Sequence, residues 1–356
     1  MMNICIMTGA RPNFIKVAPL IRSIRKAQEE GKDVDYILVY AGAEDDPTLE
    51  GTLFSDLEMP RPAVYLGVRS RNVNEITGEV MNEFEAYLNE HKTDVVIVVD
   101  DLASTMAAAI VAKKHGIRLA HLVAGTRSFD INMPKEINRL VIDGLSDLLF
   151  TAGSGTGTTA DQSKIYVVGN ILMDTLRYNL PRFRRPKVLA DMNIADGEYA
   201  VLTINRRALL ADEDNLRAML EAMSSEIGDR RIITPLRGEA RNVVERLVQG
   251  LNNIVLVEPL TYLEFGYLTA HAACVITDSG NVAEEATFNG VPCITLNNYT
   301  EHIETVKQGT NVLVNEDASL LGATLREIAT SAPKSYSIPD RWDGRTADRI
   351  LQTLLG

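Results

Sequence analysis

The 356-residue chain carries 48 acidic against 36 basic side chains, a net charge of −12, and 46% of its residues are hydrophobic. That length exceeds one typical domain and predicts two, each able to bury a core without staples. The acidic balance excludes a nucleic-acid backbone as partner, which demands a surplus of cations, but not a small phosphate-bearing ligand, which needs only a few local ones.

The opening run MMNICIMTGARPNF has neither the basic flank nor the long apolar stretch of a secretory signal. No apolar run reaches the ~18 residues of a membrane span, so a cytoplasmic protein without a membrane partner is expected. Cys5, Cys274 and Cys293 lie in apolar runs with no C-x-x-C pair, which predicts reduced core thiols.

In chain order, short runs rich in Val, Ile and Leu alternate with amphipathic ones. The first half predicts strands over 3–8, 36–40, 95–100, 119–124, 148–151 and 165–168, with helices over 14–28, 72–90, 104–115 and 136–144. Their near-continuous apolar content suits parallel strands covered on both faces. The second half predicts strands over 199–204, 231–234, 254–257, 274–277, 292–296 and 312–314. Its helices are predicted over 212–227, 239–249, 260–270, 281–289 and 320–329, with a last helix over 346–355. The reading is α/β, with two Rossmann-like doubly wound domains and a ligand cleft between them. The basic, proline-bearing segment 178–186 (YNLPRFRRP) is the expected junction, giving domains 1–177 and 178–342.

Four groups of residues can carry chemistry. Gly9-Ala10-Arg11-Pro12 follows the first strand and opens a helix, where free N–H groups and the cations of Arg11 and Lys16 would suit an anion; a plain structural turn is the competing reading. Thr277-Asp278-Ser279-Gly280-Asn281 repeats that arrangement in the second half, with Glu285 placed to accept ribose hydroxyls; the alternative is a simple helix cap by Asp278 or Ser279. Asp100 and Asp101 end a very apolar strand and can act as acid, base or ligand, or cap the next helix. His121, Arg127, Glu136 and Arg139 form the last group. In it His121 can be a satisfied core residue, and Glu136 and Arg139 can pair at helical spacing. No pattern for a metal or cofactor is seen.

At these residues the chain resembles the non-hydrolysing UDP-N-acetylglucosamine 2-epimerases. The likeness spans nearly the whole chain: Gly9-Ala10-Arg11-Pro12 with Ile15-Lys16; Ala124-Gly125 with Arg127-Ser128; Pro134, Glu136 and Asn138-Arg139; Val168-Gly169-Asn170; Arg206-Arg207; Glu258-Pro259-Leu260 with Phe265; Thr277-Asp278-Ser279-Gly280 with Glu284-Glu285; and Asp343-Gly344. The resemblance implies a GT-B-like fold whose second domain holds UDP, and a last helix (343–356) that crosses back to the first domain. It implies UDP or a UDP-sugar as ligand, a place in polysaccharide biosynthesis, and C2 inversion by elimination and re-addition of UDP. Carried over, Arg11, Lys16, Asn205, Arg206, Phe265, Ser279, Gly280, Asn281 and Glu285 are the expected ligand-binding residues. Asp101 and Glu136 are the expected acid–base groups. A homodimer is the oligomer expected on symmetry grounds.

The chain departs from the family pattern at the chemistry. It has Val123 before Ala124-Gly125 where the family has Glu, and Lys135 before Glu136 where the family has a second Glu. It has Asn205 before Arg206-Arg207 where the family has His, Gly42-Ala43-Glu44 for Gly-Gln-His, and Thr300-Glu301-His302-Ile303-Glu304 for Thr-Glu-Arg-Pro-Glu. Each lost acid or base costs typically ~10²–10⁴ in rate. The expectation is therefore a UDP-sugar site with little epimerase turnover. The alternatives are another reaction on a UDP-sugar, either hydrolysis or glycosyl transfer, or binding without catalysis.

Overall fold

A computed structural model describes residues 1–153, 161–330 and 334–356. The chain divides into two compact units, Met1–Tyr178 with Asp340–Gly356, and Asn179–Pro339. Among the described residues no helix is long and apolar enough to cross a membrane.

The first unit holds β1 (Met2–Thr8), β2 (Val34–Gly42), β3 (Val64–Val68), β4 (Val95–Val99), β5 (Arg118–Leu122), β6 (Leu148–Thr151) and β7 (Ile165–Val167) in one parallel sheet of order β3-β2-β1-β4-β5-β6-β7. β1 and β4 lie at its centre, and every residue of β4 is buried, which is why these runs are continuously apolar rather than alternating. Val96 and Val98 pack with Cys5, Met7 and Phe84 on one face, beneath the helices Val73–Glu90 and Ala103–Lys114.

β3 is absent from the sequence reading. It is a half-buried edge strand with Gly67 at φ +78°, so it lacks the apolar signal that marks its neighbours. The helix Ile171–Asn179 was likewise not anticipated. The last helix, Thr346–Leu355, packs on Arg11–Glu29. The returning chain crosses Gly169 (φ +108°) so closely that a Cβ there would stand 2.4 Å from the Arg341 carbonyl oxygen; only glycine fits.

The second unit repeats the plan with β8 (Tyr199–Thr203), β9 (Arg231–Thr234), β10 (Ile254–Leu256), β11 (Cys274–Thr277), β12 (Cys293–Thr295) and β13 (Asn311–Leu313), ordered β10-β9-β8-β11-β12-β13. Side chains alternate between two cores. Ala200, Leu202, Cys274 and Ile276 enter one, and Tyr199, Val201, Val275 and Cys293 the other. All three cysteines are free and buried, and burial pushes the Cys5 and Cys274 thiols up to about 12.

Candidate functional site

In the first unit the polar groups gather at the C-terminal ends of β1, β4 and β5, the edge where open α/β sheets place their ligands. Asn13 organises the first turn of the Arg11–Glu29 helix: its Oδ1 accepts the N–H groups of Gly9 and Ala10 at 2.8 and 3.3 Å, and its Nδ2 donates to Asp100 at 2.8 Å. Two of the amides expected to face an anion are therefore already satisfied. Arg11 is engaged with Glu50, at 2.6 Å from Nη2, and Lys16, itself buried, donates to Asp100 at 2.6 Å.

Neither Asp100 nor Asp101 caps the following helix. Leu102 holds that position without a side-chain bond, which corrects the capping alternative. Asp101 instead accepts Arg139 Nη2 and Nε at 2.6 and 2.9 Å, with Lys135 Nζ at 3.5 Å. Burial would raise the Asp101 carboxyl, but the charges of Lys135, Arg139 and Lys16 outweigh it and hold it below the usual range.

Glu136 and Arg139 do meet, at 3.3 Å, but Arg139 lies closer to Asp101. Glu136 accepts the backbone N–H and hydroxyl of Ser128 at 2.8 and 2.9 Å. Against the cost of burial, Ser128 and Arg139 lower its carboxyl as well. His121 is a satisfied core histidine, with Nδ1 at 2.6 Å from Asp143 and Nε2 at 2.8 Å from the Asp100 carbonyl. Asp143 also takes Arg127 at 2.8 Å and Gly125 N–H at 3.1 Å.

Asp143 was missed in the sequence. Its signal is there, because Glu136, Arg139 and Asp143 fall on the one buried face of Pro134–Leu145, at the spacing of successive helical turns. Asp101, Glu136, Arg127, Arg139, His121 and Asp143 thus form one network of ion pairs and hydrogen bonds. A general acid or base works best with a pKa near the working pH; Asp101, Glu136 and Asp143 are all pushed the other way.

In the second unit the C-terminal end of β11 carries the turn Thr277-Asp278-Ser279. Asp278 Oδ2 accepts the backbone N–H groups of Asn205 and Arg206, both at 2.7 Å, locking the loop after β8 to this turn. Burial raises the Asp278 carboxyl against those bonds. Arg206 lies over the Tyr299 ring at 4.9 Å.

Ser279 is the N-cap of Gly280–Asn289, yet its hydroxyl makes no capping bond, so a cap by its side chain is not what this serine does. The first N–H groups of any helix lack intrahelical acceptors. Asn281 is half-buried on this first turn, and Glu285 is buried further along. Phe265, half-buried, belongs to Tyr262–Ala270, which packs on the same helix. The structure therefore joins Asn205, Arg206, Ser279 and Gly280 through Asp278, and joins Asp101 to Glu136 through Arg139. It places Arg11 and Lys16 in two separate ion pairs.

His302 and Glu304 stand beside Glu284, with donor atoms of all three within 4.8 Å of one another. That spacing is within a metal ion's span, but the imidazole is bonded to Glu284 at 2.9 Å. Those carboxylates overcome the lowering effect of burial and raise the ring to about 10. At neutral pH this is an ion pair.

A sequence model of the family described as UDP-N-acetylglucosamine 2-epimerase matches residues 26–355. The chain belongs to the UDP-N-acetylglucosamine 2-epimerase family. It is 34% identical, over 99% of both chains, to a UDP-N-acetylglucosamine 2-epimerase homolog of Methanococcus maripaludis. It is 32% identical, over 91% of this chain and 92% of the other, to the UDP-2,3-diacetamido-2,3-dideoxy-D-glucuronate 2-epimerase of Pseudomonas aeruginosa. The Methanocaldococcus jannaschii UDP-GlcNAc 2-epimerase, crystallised with UDP-GlcNAc and UDP, superimposes with a TM-score of 0.88 at 32% identity over 99% of both chains. The fold class is accordingly the two-domain, parallel-sheet, GT-B-like α/β fold of this epimerase family.

Proposed function

We propose that this epimerase-family protein binds a UDP-sugar, with the diphosphate on the Ser279-Gly280-Asn281 turn, and inverts C2 slowly or not at all. The observation that carries the ligand reading is the Asp278 latch. It aligns the Asn205-Arg206 loop with a helix N-terminus whose serine hydroxyl is not used for capping, a pairing suited to a diphosphate. The relative of known structure was crystallised with UDP-GlcNAc and UDP, which supports the same ligand class here.

The reading on turnover comes from the first unit. The C2 proton of an N-acetyl sugar is not adjacent to a carbonyl, so its removal needs a placed base. Val123 cannot serve, and Asp101 and Glu136 are committed to ion pairs that favour the charged form. Hydrolysis or transfer of the sugar, which needs no base at C2, is the second reading.

Incubation of the protein with UDP-GlcNAc in deuterated water, followed by NMR, separates these outcomes. Deuterium at C2 reports elimination and re-addition; free UDP with free sugar reports hydrolysis. Epimerisation at ~1 s⁻¹ or faster, within the ordinary enzyme range, would overturn the slow-turnover reading. Failure to bind UDP in calorimetry would overturn the ligand reading.

A further inference from the structure

Glu284, His302 and Glu304 come together from two helices of the second unit. Glu284 lies within Gly280–Asn289, His302 immediately precedes Ile303–Lys307, and Glu304 is in the first turn of that helix. One ligand atom from each stands within 4.8 Å of the others. His302 Nδ1 is 2.9 Å from Oε1 of Glu284 and 3.8 Å from Oε1 of Glu304. Ligand atoms bound at ~2.0–2.1 Å around a tetrahedral zinc ion lie ~3.3 Å apart, so the two separations straddle the value an ion requires.

The imidazole is held in place by the protein alone. Thr300 Oγ accepts the backbone N–H of His302 at 3.1 Å. The His302 carbonyl accepts the hydroxyl and N–H of Thr305 at 2.7 and 3.0 Å, and Asn311 donates to that hydroxyl at 3.1 Å. The opposite edge of the ring lies on Gly280, where a Cβ would stand 2.6 Å from Cδ2. A ring fixed this way presents Nδ1 to both carboxylates without a ligand to order it, which is the preorganisation a metal site needs. The three side chains are also recessed, none more than 29% exposed, unlike acidic groups spread over a solvated surface.

We infer that Glu284, His302 and Glu304 form a binding site for a late first-row divalent cation, Zn²⁺ foremost, with His302 Nδ1 and one oxygen of each carboxylate as ligands and solvent completing the shell. The donor set makes the choice: imidazole with carboxylates suits zinc, whereas Mg²⁺ and Ca²⁺ take oxygen ligands. The ion pair belongs to the metal-free protein. There the Nδ1 proton is the cation that the two carboxylates hold; a divalent ion meets the same oxygens with twice the charge, and the proton passes to solvent. Bound there, the metal ties Ile303–Lys307 to Gly280–Asn289 and makes the stability of the second unit depend on metal concentration. His302-x-Glu304 is too short a pattern to signal this in the sequence, and Glu284 joins it only in the fold. The inference goes beyond the UDP-sugar reading and does not depend on it.

Calorimetry of the chelator-treated full chain with ZnCl₂, CoCl₂ and MgCl₂ at pH 7.5 tests it. One Zn²⁺ and one Co²⁺ are expected to bind per chain, with Mg²⁺ far weaker. His302→Arg keeps a cation beside Glu284 but offers no lone pair to a metal. It is expected to weaken Zn²⁺ by more than the ~10–100-fold that follows loss of a merely supporting residue, and to lose the rise in thermal midpoint that zinc gives the wild type. Glu304→Gln should weaken Zn²⁺ in the same direction. Zinc affinity unchanged in both variants would place the ion elsewhere and overturn the inference, as would a wild type that binds no zinc.

A wild-type measurement does not depend on the variants folding. In the ¹⁵N spectrum of the His302 ring, zinc should move the Nδ1 signal to that of a metal-bound nitrogen and leave Nε2 protonated. An Nδ1 signal that stays where it was while zinc is bound overturns the site.

Discussion

Arg139 donates through Nη2 and Nε to a single oxygen of Asp101, at 2.6 and 2.9 Å, and Arg139 is 4% exposed while Asp101 is 15% exposed. Removing the carboxylate leaves a buried guanidinium without its principal counter-charge. Asp101→Ala should therefore cost about 3 kcal/mol, the lower end for breaking a buried ion pair, read as a shift in the urea midpoint at unchanged slope. The sign with pH follows from the direction of the shift. The folded-state pKa of Asp101 lies below its unfolded value, so the contribution is present above ~4 and lost as pH falls through the folded value. Wild type and variant should converge in stability in acid; a gap that stays constant down to pH 2 contradicts this account.

Val123 holds φ at +67°, flanked in space and sequence by Asp100 at +60° and Gly125 at +78°. A β-branched residue in the left-handed region is strained. Val123→Gly should relieve ~1–2 kcal/mol of that strain, offset by ~0.5–1 kcal/mol of extra chain entropy in the unfolded state. The expected result is a small rise in thermal midpoint. A drop worth more than ~1 kcal/mol would show that the valine side chain packs better than its half-buried position suggests.

The His302–Glu284 pair carries a stability signature of opposite sign to that of Asp101. The folded ring has its pKa raised to about 10, against ~6.5 for a free imidazole. Its contribution is fully present below ~6.5 and lost as pH rises through about 10. His302→Gln should be most destabilised relative to wild type at pH 6 and least at pH 10, by denaturant titration at several pH values. Glu284 and Glu304 are the carboxylates that face the ring, so a pH-independent difference would mean that neither sets its charge.

Glu285 is buried in the body of the Gly280–Asn289 helix rather than in its first turn. If it accepts ribose hydroxyls, Glu285→Ala should weaken UDP by ~10-fold, as for loss of a hydrogen bond to a charged acceptor, and leave inorganic diphosphate little changed. Equal weakening of both ligands in calorimetry would sink the ribose role.

Much of this protein was legible in the order of its residues. Continuous Val, Ile and Leu runs alternating with amphipathic ones specify strands covered by helices on both faces, and they identified twelve of the thirteen strands found among the described residues. The exception was β3, an edge strand with no fully buried residue and with Gly67 at φ +78° interrupting its short run. The turns Gly9–Pro12 and Thr277–Asn281 were visible as glycine-bearing junctions of strand and helix, and the family likeness was visible in their order.

What the sequence could not show is who pairs with whom. Asp101 and Arg139 are 38 residues apart, and only the sheet brings the end of β4 to the buried face of Pro134–Leu145. Without that contact the aspartate reads equally well as a cap, an acid or a base. His302 reads as one change in a motif, until the fold sets its ring across Gly280 and its Nδ1 on Glu284. Local pattern determines which faces are buried, since that depends on neighbours a few residues away. The charge state and task of a polar side chain depend on counter-charges and burial supplied by distant segments, and only the tertiary structure decides those.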